Sequence, residues 1–345
     1  MSANTLDAIV SRLCDWSFFG PTLEVSWHAG EPLSVPVSYY EEMLPKFNPL
    51  RAIVPRINHT VQTNGTLLSD DYCRLFKEHG VSVGVSIDGP AWLHDRHRTF
   101  RSGAGSHAQT VAGIKKLIDH SIPFYAIMVA SVESLPHAEE IYYHMRDLGI
   151  TFLGVNVEES EGVHPSSTLD GIDGKLFSDF IEKMFRLSLD DGRVVIRDLY
   201  MTATYLSRSS LPLRSVSASP GEILTFDWKG NVATYSPELV PFPAMDNTAA
   251  LSISNALQRP EWRAVEAQIA QGLLECELTC DYFSVCGGGN PSNKLTEHGS
   301  FASTETTACR LQVKETTEIV LKLFEDENLR KVLQDLVGNK HLMRL

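Results

Sequence analysis

The sequence predicts an α/β protein, a partial TIM-type (β/α) barrel followed by a cysteine-rich C-terminal domain. Three observations predict it. Short apolar runs alternate with helical periodicities through residues 1–160. A polar loop follows each of several of those runs. Four of the six cysteines fall between Cys276 and Cys309.

The elements follow in order. Leu6, Ile9, Val10 and Leu13 repeat at helical spacing behind Ser2–Thr5, which can cap the start. The runs Leu23–Trp27, Ile57–Gln62, Val81–Ile87, Phe124–Ala130 and Phe152–Val157 read as buried strands. Helical segments separate them near Val37–Leu44, Asp70–His79, Ala108–His120 and Leu135–Leu148. Strands alternating with helices predict a parallel sheet. The loops His28–Pro32, Thr63–Thr66, Asp88–Pro90 and Glu158–Gly162 would then gather at the C-terminal ends of the strands, where barrel active sites form. Residues 173–208 read as two helices broken at Asp190–Gly192, and Ser207–Pro220 as a linker. Ile223–Trp228 and Val232–Tyr235 flank Lys229–Asn231 as a hairpin. One amphipathic helix closes the chain, with Ile319, Val320, Leu323, Phe324, Val332 and Leu336 on its apolar face. The expected division is a barrel with bridging helices over 1–208 and a cysteine domain with the closing helix over 209–345. Barrel units normally open with a strand. Here a helix comes first, so the first strand is expected to be missing.

Composition narrows the function. The 345 residues, 43% of them hydrophobic, suffice for a barrel of about 250 residues and a smaller extension. A net charge of −13 disfavours nucleic acid, which needs basic surface. Cys14 and Cys73 stand singly in helical patterns, so no disulfide framework is visible and a cytoplasmic setting is expected. No leader pattern and no apolar stretch long enough to span a bilayer is seen, so no membrane partner is expected.

The cysteines carry the chemistry. Cys276, Cys280 and Cys286 form C-x3-C-x5-C-G-G-G, and Cys309 returns 23 residues later. Cys276 and Cys280 share a helix face, and Gly287–Gly289 lets backbone pass close to a bulky group. Four thiolates suit a [4Fe–4S] cluster. A four-cysteine zinc site is the rival, although zinc favours two close pairs. Four unrelated buried cysteines are the remaining alternative.

With these cysteines added to the loops, the chain resembles the radical S-adenosylmethionine (SAM) enzymes with a C-terminal SPASM-type domain. Trp27-His28-Ala29-Gly30-Glu31-Pro32 resembles the family's W-H-G-G-E-P turn, with Ala29 in place of a glycine. Gln62-Thr63-Asn64-Gly65-Thr66 resembles the loop after the next strand. Ser86-Ile87-Asp88-Gly89-Pro90, with His94-Asp95 and Arg98, resembles the one after that. Cys286–Lys294 resembles the accessory-cluster signature. Asn156–Glu159 with Gly162, Ser236–Leu239 and the C-x3-C spacing are most similar to maturases that form cyclophane crosslinks in glycine-rich precursor peptides.

The resemblance implies a radical SAM peptide maturase with SAM and iron–sulfur cofactors. It also implies a precursor peptide as partner and a donor such as flavodoxin or ferredoxin. Gly30 and Glu31 would hold the SAM amino group. Gln62 and Ser86 would contact its nucleoside or methionine portion, and Arg98 its carboxylate. Asn64 and Asp88 are weaker cofactor-binding candidates, since such residues often shape turns. Glu31 could equally cap the following helix, and Arg98 could be a surface charge. His28 could sit at the mouth or in the core, and Glu158 and Glu159 could face substrate or solvent. No catalytic base is assigned.

Two departures from the family pattern stand out. The C-x3-C-x2-C set that holds the catalytic [4Fe–4S] cluster is absent, and only Cys14 and Cys73 lie outside the C-terminal group. This and the missing first strand fit either a start upstream of Met1 or a true loss. The chain as written is therefore expected to be inactive. Second, Tyr235 and Ser236 stand where a further cluster would place cysteine, so one accessory cluster is expected. The competing readings are a non-catalytic, cluster-stapled peptide-binding protein and a zinc-dependent barrel hydrolase.

Overall fold

The computed structural model describes residues 1–16, 20–160, 166–207, 215–239, 246–247 and 252–338. Gly162, half of the expected linker and the expected 208/209 boundary lie outside them.

Six strands form one parallel sheet in sequential order: β1 (Thr22–Trp27), β2 (Arg56–Thr63), β3 (Ser82–Ser86), β4 (Phe124–Ala130), β5 (Phe152–Val157) and β6 (Val195–Ile196). Before β1 comes α1 (Ala3–Cys14), and a helical connection joins each pair of strands. These are α2 (Val37–Met43) with a 3-10 segment, α3 (Asp70–His79), α4 (Ala91–His97) with α5 (His107–Asp119), α6 (Ala138–Asp147) and α7 (Gly174–Asp191). α8 (Arg197–Leu206) follows β6. The five expected strands are all present. The sixth, β6, went unpredicted because two residues carry no periodicity; α4 was missed too, only about two turns long between two loops.

Local chemistry sets these elements. In α3, Ser69 caps the start by accepting from the Tyr72 N–H. Asp70 and Asp71 occupy the first turn, Lys77 and His79 the last, and Gly80 ends it at φ 63°. In α1, the Ser2 hydroxyl accepts from the Thr5 N–H at 3.1 Å. Its Leu6, Ile9, Val10 and Leu13 pack against Met43, Phe47, Leu50 and Ile57.

The two faces of the sheet differ. Val61, Val83, Val85, Ala126, Met128, Leu153 and Val155 are fully buried beneath the helices. Gln62, Ser86, Tyr125 and Asn156 lie on the opposite, half-exposed face. Gly84 makes room there, because a Cβ would fall 2.0 Å from Gln62 Oε1 and 2.6 Å from the Tyr125 ring.

A second, antiparallel sheet holds β7 (Leu224–Phe226), β8 (Asn231–Thr234) and β9 (Asp246–Asn247), so the expected hairpin forms. It is followed by α9 (Ile253–Leu257), α10 (Pro260–Thr279), α11 (Phe283–Cys286), α12 (Pro291–His298), a π-helical segment (Cys309–Glu315), α13 (Thr316–Glu325) and α14 (Glu327–Gly338). Leu311, Ile319, Val320, Leu323 and Leu333 join the same core as the sheet.

The expectation of one closing helix is corrected. Asp326 leaves helical geometry at ψ 113° and its carboxylate accepts from the Asn328 N–H at 2.9 Å, so α13 stops and α14 starts anew. The restart shifts the apolar register. Val332 is 40% exposed, and Leu333 is buried in its place. Leu333→Ala is therefore expected to cost ~2–4 kcal/mol in urea unfolding, as other buried Leu→Ala changes do, while Val332→Ala stays within about 0.5 kcal/mol.

Candidate functional site

The turn after β1 carries two consecutive left-handed residues, Ala29 at φ 74° and Gly30 at φ 63°. Glycine takes this conformation freely; alanine does not. The turn delivers Glu31, whose carboxylate ties three segments together. Oε1 accepts from the Leu33 N–H at 2.9 Å and from the Thr63 hydroxyl at 2.6 Å, and Oε2 accepts from the Asn64 N–H at 2.9 Å. Glu31 thus caps the 3-10 turn Pro32–Ser34 and also binds the β1 and β2 loops to each other. His28 is exposed beside it.

Gln62 and Ser86, on neighbouring strands, meet directly: Gln62 Nε2 donates to Ser86 Oγ at 3.1 Å. The Asn64 side chain is spent on its own turn, with Oδ1 accepting from the Thr66 N–H at 2.9 Å and the Thr66 hydroxyl at 2.8 Å.

Asp88 and Arg98 form a two-pronged ion pair. Nη2 reaches Oδ1 at 2.9 Å and Nε reaches Oδ2 at 2.5 Å, with Asp88 6% and Arg98 27% exposed. Oδ1 also accepts from the Val129 N–H at 3.0 Å. The guanidinium is therefore no free surface charge: Asp88 holds it from inside the sheet.

Buried His94 backs this pair. The Asp88 N–H points at His94 Nδ1 at 3.3 Å, which makes Nδ1 the acceptor. Nε2 then carries the proton and donates to Ser106 Oγ at 3.0 Å, and that hydroxyl donates to the Arg98 carbonyl at 2.9 Å. Burial pushes the His94 pKa down to about 4, which keeps the ring neutral.

The four C-terminal cysteines line one cavity of about 160 Å³. Cys276 lies in the last turn of α10 and Cys280 is the residue that ends it. Cys286 ends α11, and Gly287, Gly288 and Gly289 follow with φ of 70°, 105° and 75°. A Cβ on Gly288 would fall 2.1 Å from Leu273. Cys309 opens the π segment, with its N–H on Thr306 Oγ1 at 3.1 Å. π segments often mark functional positions. Lys294, 4% exposed, reaches in from α12.

The contact with Cys309 lowers the Cys286 pKa, and the same contact with burial raises that of Cys309. Burial raises Cys276. Among the described residues no three His, Cys, Asp or Glu side chains close around one ion. A zinc ion with Zn–S of about 2.3 Å needs sulfurs ~3.8 Å apart. A cavity that could seat several waters suits a polynuclear group better. The donors and the space therefore fit an iron–sulfur cluster. No such fit exists for a second cluster at the mouth: Cys14 is exposed at the end of α1 and Cys73 is buried in α3.

Residues 3–142 match the Radical SAM superfamily model. The chain belongs to the radical SAM superfamily. It is 33% identical to the Synechocystis sp. protein sll1766 over 93% of this chain and 84% of that relative. To a serine-type anaerobic sulfatase-maturating enzyme of Klebsiella pneumoniae it is 28% identical, over 77% and 68%. Among solved structures, native anSMEcpe with bound AdoMet superposes with a TM-score of 0.78 at 17% identity, over 97% of this chain and 91% of that one. Streptococcus suis SuiB bound to S-adenosylmethionine gives 0.58 at 12%, over 90% and 70%.

In this radical SAM chain the seven mouth candidates all lie on β1–β3 or the segments that follow them, as the sequence predicted. They divide by availability. Gln62 and Ser86 stand on the open face, while Asn64 and Asp88 are committed to protein contacts. Sequence reasoning missed the structural parts of His94, which is tied to Asp88 and Ser106 nearby in the chain, and of Asp198 and Gln312, whose partners lie far away along it. Asp198 accepts from the Val155 N–H at 2.9 Å, and Gln312 Nε2 donates to the Val155 carbonyl at 3.2 Å.

Ala29→Gly should raise unfolding stability by about 1 kcal/mol, measured by denaturant titration, because it relieves the left-handed alanine. A pH titration of stability tests His94. Its folded pKa lies below the unfolded value of 6.5, so the unfolded chain takes up the proton first. Stability is full above pH 6.5, is lost as pH falls to about 4, and levels off below. The loss from His94 is on the order of 3 kcal/mol, and His94→Gln should flatten that part of the curve.

Proposed function

We propose that this chain is the body of a radical SAM maturase that acts on a peptide or protein segment, with an iron–sulfur cluster held by Cys276, Cys280, Cys286 and Cys309. One observation carries the reading: those four cysteines line one cavity that shares Gln312 and Glu159 with the end of β5. The relatives agree in kind. One is named a sulfatase-maturating enzyme, and structures of the anSMEcpe fold were solved with AdoMet and a peptide together.

The division of labour follows from the side chains. Gly30 gives the SAM amino group a backbone edge, and Glu31, whose carboxylate already accepts three hydrogen bonds, has Oε2 left to accept one more. Gln62 and Ser86 offer a donor and a hydroxyl to the nucleoside or methionine portion. Arg98, held by Asp88 on one edge, has its remaining N–H groups for a carboxylate. A cluster bound at the four cysteines supplies one-electron transfer. Glu159 lines the cavity and accepts from Asn293 Nδ2 at 2.8 Å, and burial pushes its pKa up. The finer reading is carbon–carbon crosslinking in a glycine-rich precursor peptide. It rests on the Asn156–Glu159 and Ser236–Leu239 phrases, and it includes the partial barrel with a SPASM-like domain. The electron would come from a flavodoxin- or ferredoxin-type donor.

A second reading has a specific observation in its favour. Outside the four-cysteine cavity this sequence has only Cys14, exposed at the end of α1, and Cys73, buried in α3. A cluster-stapled peptide-binding protein without SAM cleavage would look the same.

Anaerobic reconstitution of the 345-residue chain with iron and sulfide tests the first claim. Broad visible absorption is expected, and Cys309→Ser should lose most of it. A colourless, zinc-loaded protein would sink the cluster assignment. The reconstituted chain should release no 5′-deoxyadenosine from SAM under reduction, measured by chromatography. Turnover would show that the residues present suffice for cleavage.

A further inference from the structure

Lys294 is a buried cation without a buried anion. It is 4% exposed, and its Nζ lies 3.3 Å from the Gly272 carbonyl and 3.4 Å from Cys276 Sγ. Among the described residues it pairs with no carboxylate. An ammonium removed from water needs an opposing charge, and a carbonyl with a neutral thiol is a poor substitute. Its backbone is placed with care. Asn290 caps α12 by accepting from the Ser292 N–H at 3.1 Å, Pro291 starts the helix, and Lys294 falls one turn later on the cavity side.

We propose that Lys294 is the fixed counter-charge of the group held at the four cysteines, and that it sets that group's reduction potential. The inference rests on the cluster reading above. A reduced cluster carries one more negative charge than an oxidised one. A neighbouring cation in a low-dielectric site stabilises the reduced form more and raises the potential. Lys294 is thus a positioning residue for electron transfer, not a ligand.

The test is redox potentiometry of the anaerobically reconstituted full chain, wild type beside Lys294→Met, Lys294→Gln and Lys294→Arg, with iron content measured on each. At a fixed applied potential the Met and Gln variants should hold a reduced-to-oxidised ratio roughly tenfold lower, ~59 mV for one electron. The Arg variant should stay near wild type. Gln keeps a donor for the Gly272 carbonyl, so it separates charge from capping. Iron uptake lost in Met and Gln but kept in Arg would also support the role. Full iron with an unmoved potential in Met and Gln would overturn it, as would iron loss that Arg does not rescue. If wild type itself takes up no iron, the cluster reading fails and the proposal falls with it.

Discussion

The placement of the cysteine cavity depends on how the sheet is sealed where β6 runs out. β6 is two residues long and pairs only with Phe152 and Leu153 of β5. Beyond it, the Val155 N–H and C=O would face a strand that is not there. Unpaired buried backbone groups are costly, so something must replace the ladder. The chain turns into α8, and Asp198 in its first turn accepts from the Val155 N–H. Gln312 donates to the Val155 carbonyl and to Asp198 Oδ1 at 3.1 Å. Two side chains continue the ladder in place of a strand.

That repair fixes the distance between the two candidate sites. Gln312 sits in the π segment that Cys309 opens, and it lines the cavity. Anchoring Gln312 on β5 therefore anchors Cys309. On the far side of Asp198, Arg197 donates to Asn156 Oδ1 at 2.7 Å and lies over Gly154, where a Cβ would fall 2.7 Å from its guanidinium. Asn156 stands on the same open face as Gln62 and Ser86. A polar path thus joins the cavity to the open face of the sheet through Gln312, Asp198, Arg197 and Asn156.

Much of this was legible in the sequence, for reasons particular residues show. The strands read correctly because Val83, Val85, Leu153 and Val155 are buried whatever surrounds them. Glycine and asparagine marked turns at Asn64–Gly65 and Gly80 by local rules. The four cysteines announced themselves by spacing alone. Most of the rest depends on partners distant in the chain. Asp326 is a local capping signal that the apolar periodicity overran, whereas nothing near Gln312 says that β5 needs a donor 157 residues away. The lysine of the Cys286–Lys294 phrase was visible, but its burial was not; lysine is ordinarily exposed.

Glu158 and Glu159 show how one residue of register separates structure from chemistry. Both follow β5. Glu158 turns back on its own loop, where Oε2 accepts from the Thr168 N–H at 2.6 Å and from the hydroxyls of Ser167 and Thr168. It is spent on shape. Glu159 points the other way, into the cavity, and takes one hydrogen bond from Asn293. Burial raises its pKa, and Glu238 and Glu297 raise it further by like-charge repulsion. Glu238 itself has a buried oxygen without a partner among the described residues. A carboxyl in such surroundings resists ionisation, whereas Lys294 is a cation that meets Gly272 and Cys276 of α10. The cavity therefore has a carboxyl side toward β5 and a cationic side toward α10, and a group seated between them would meet both.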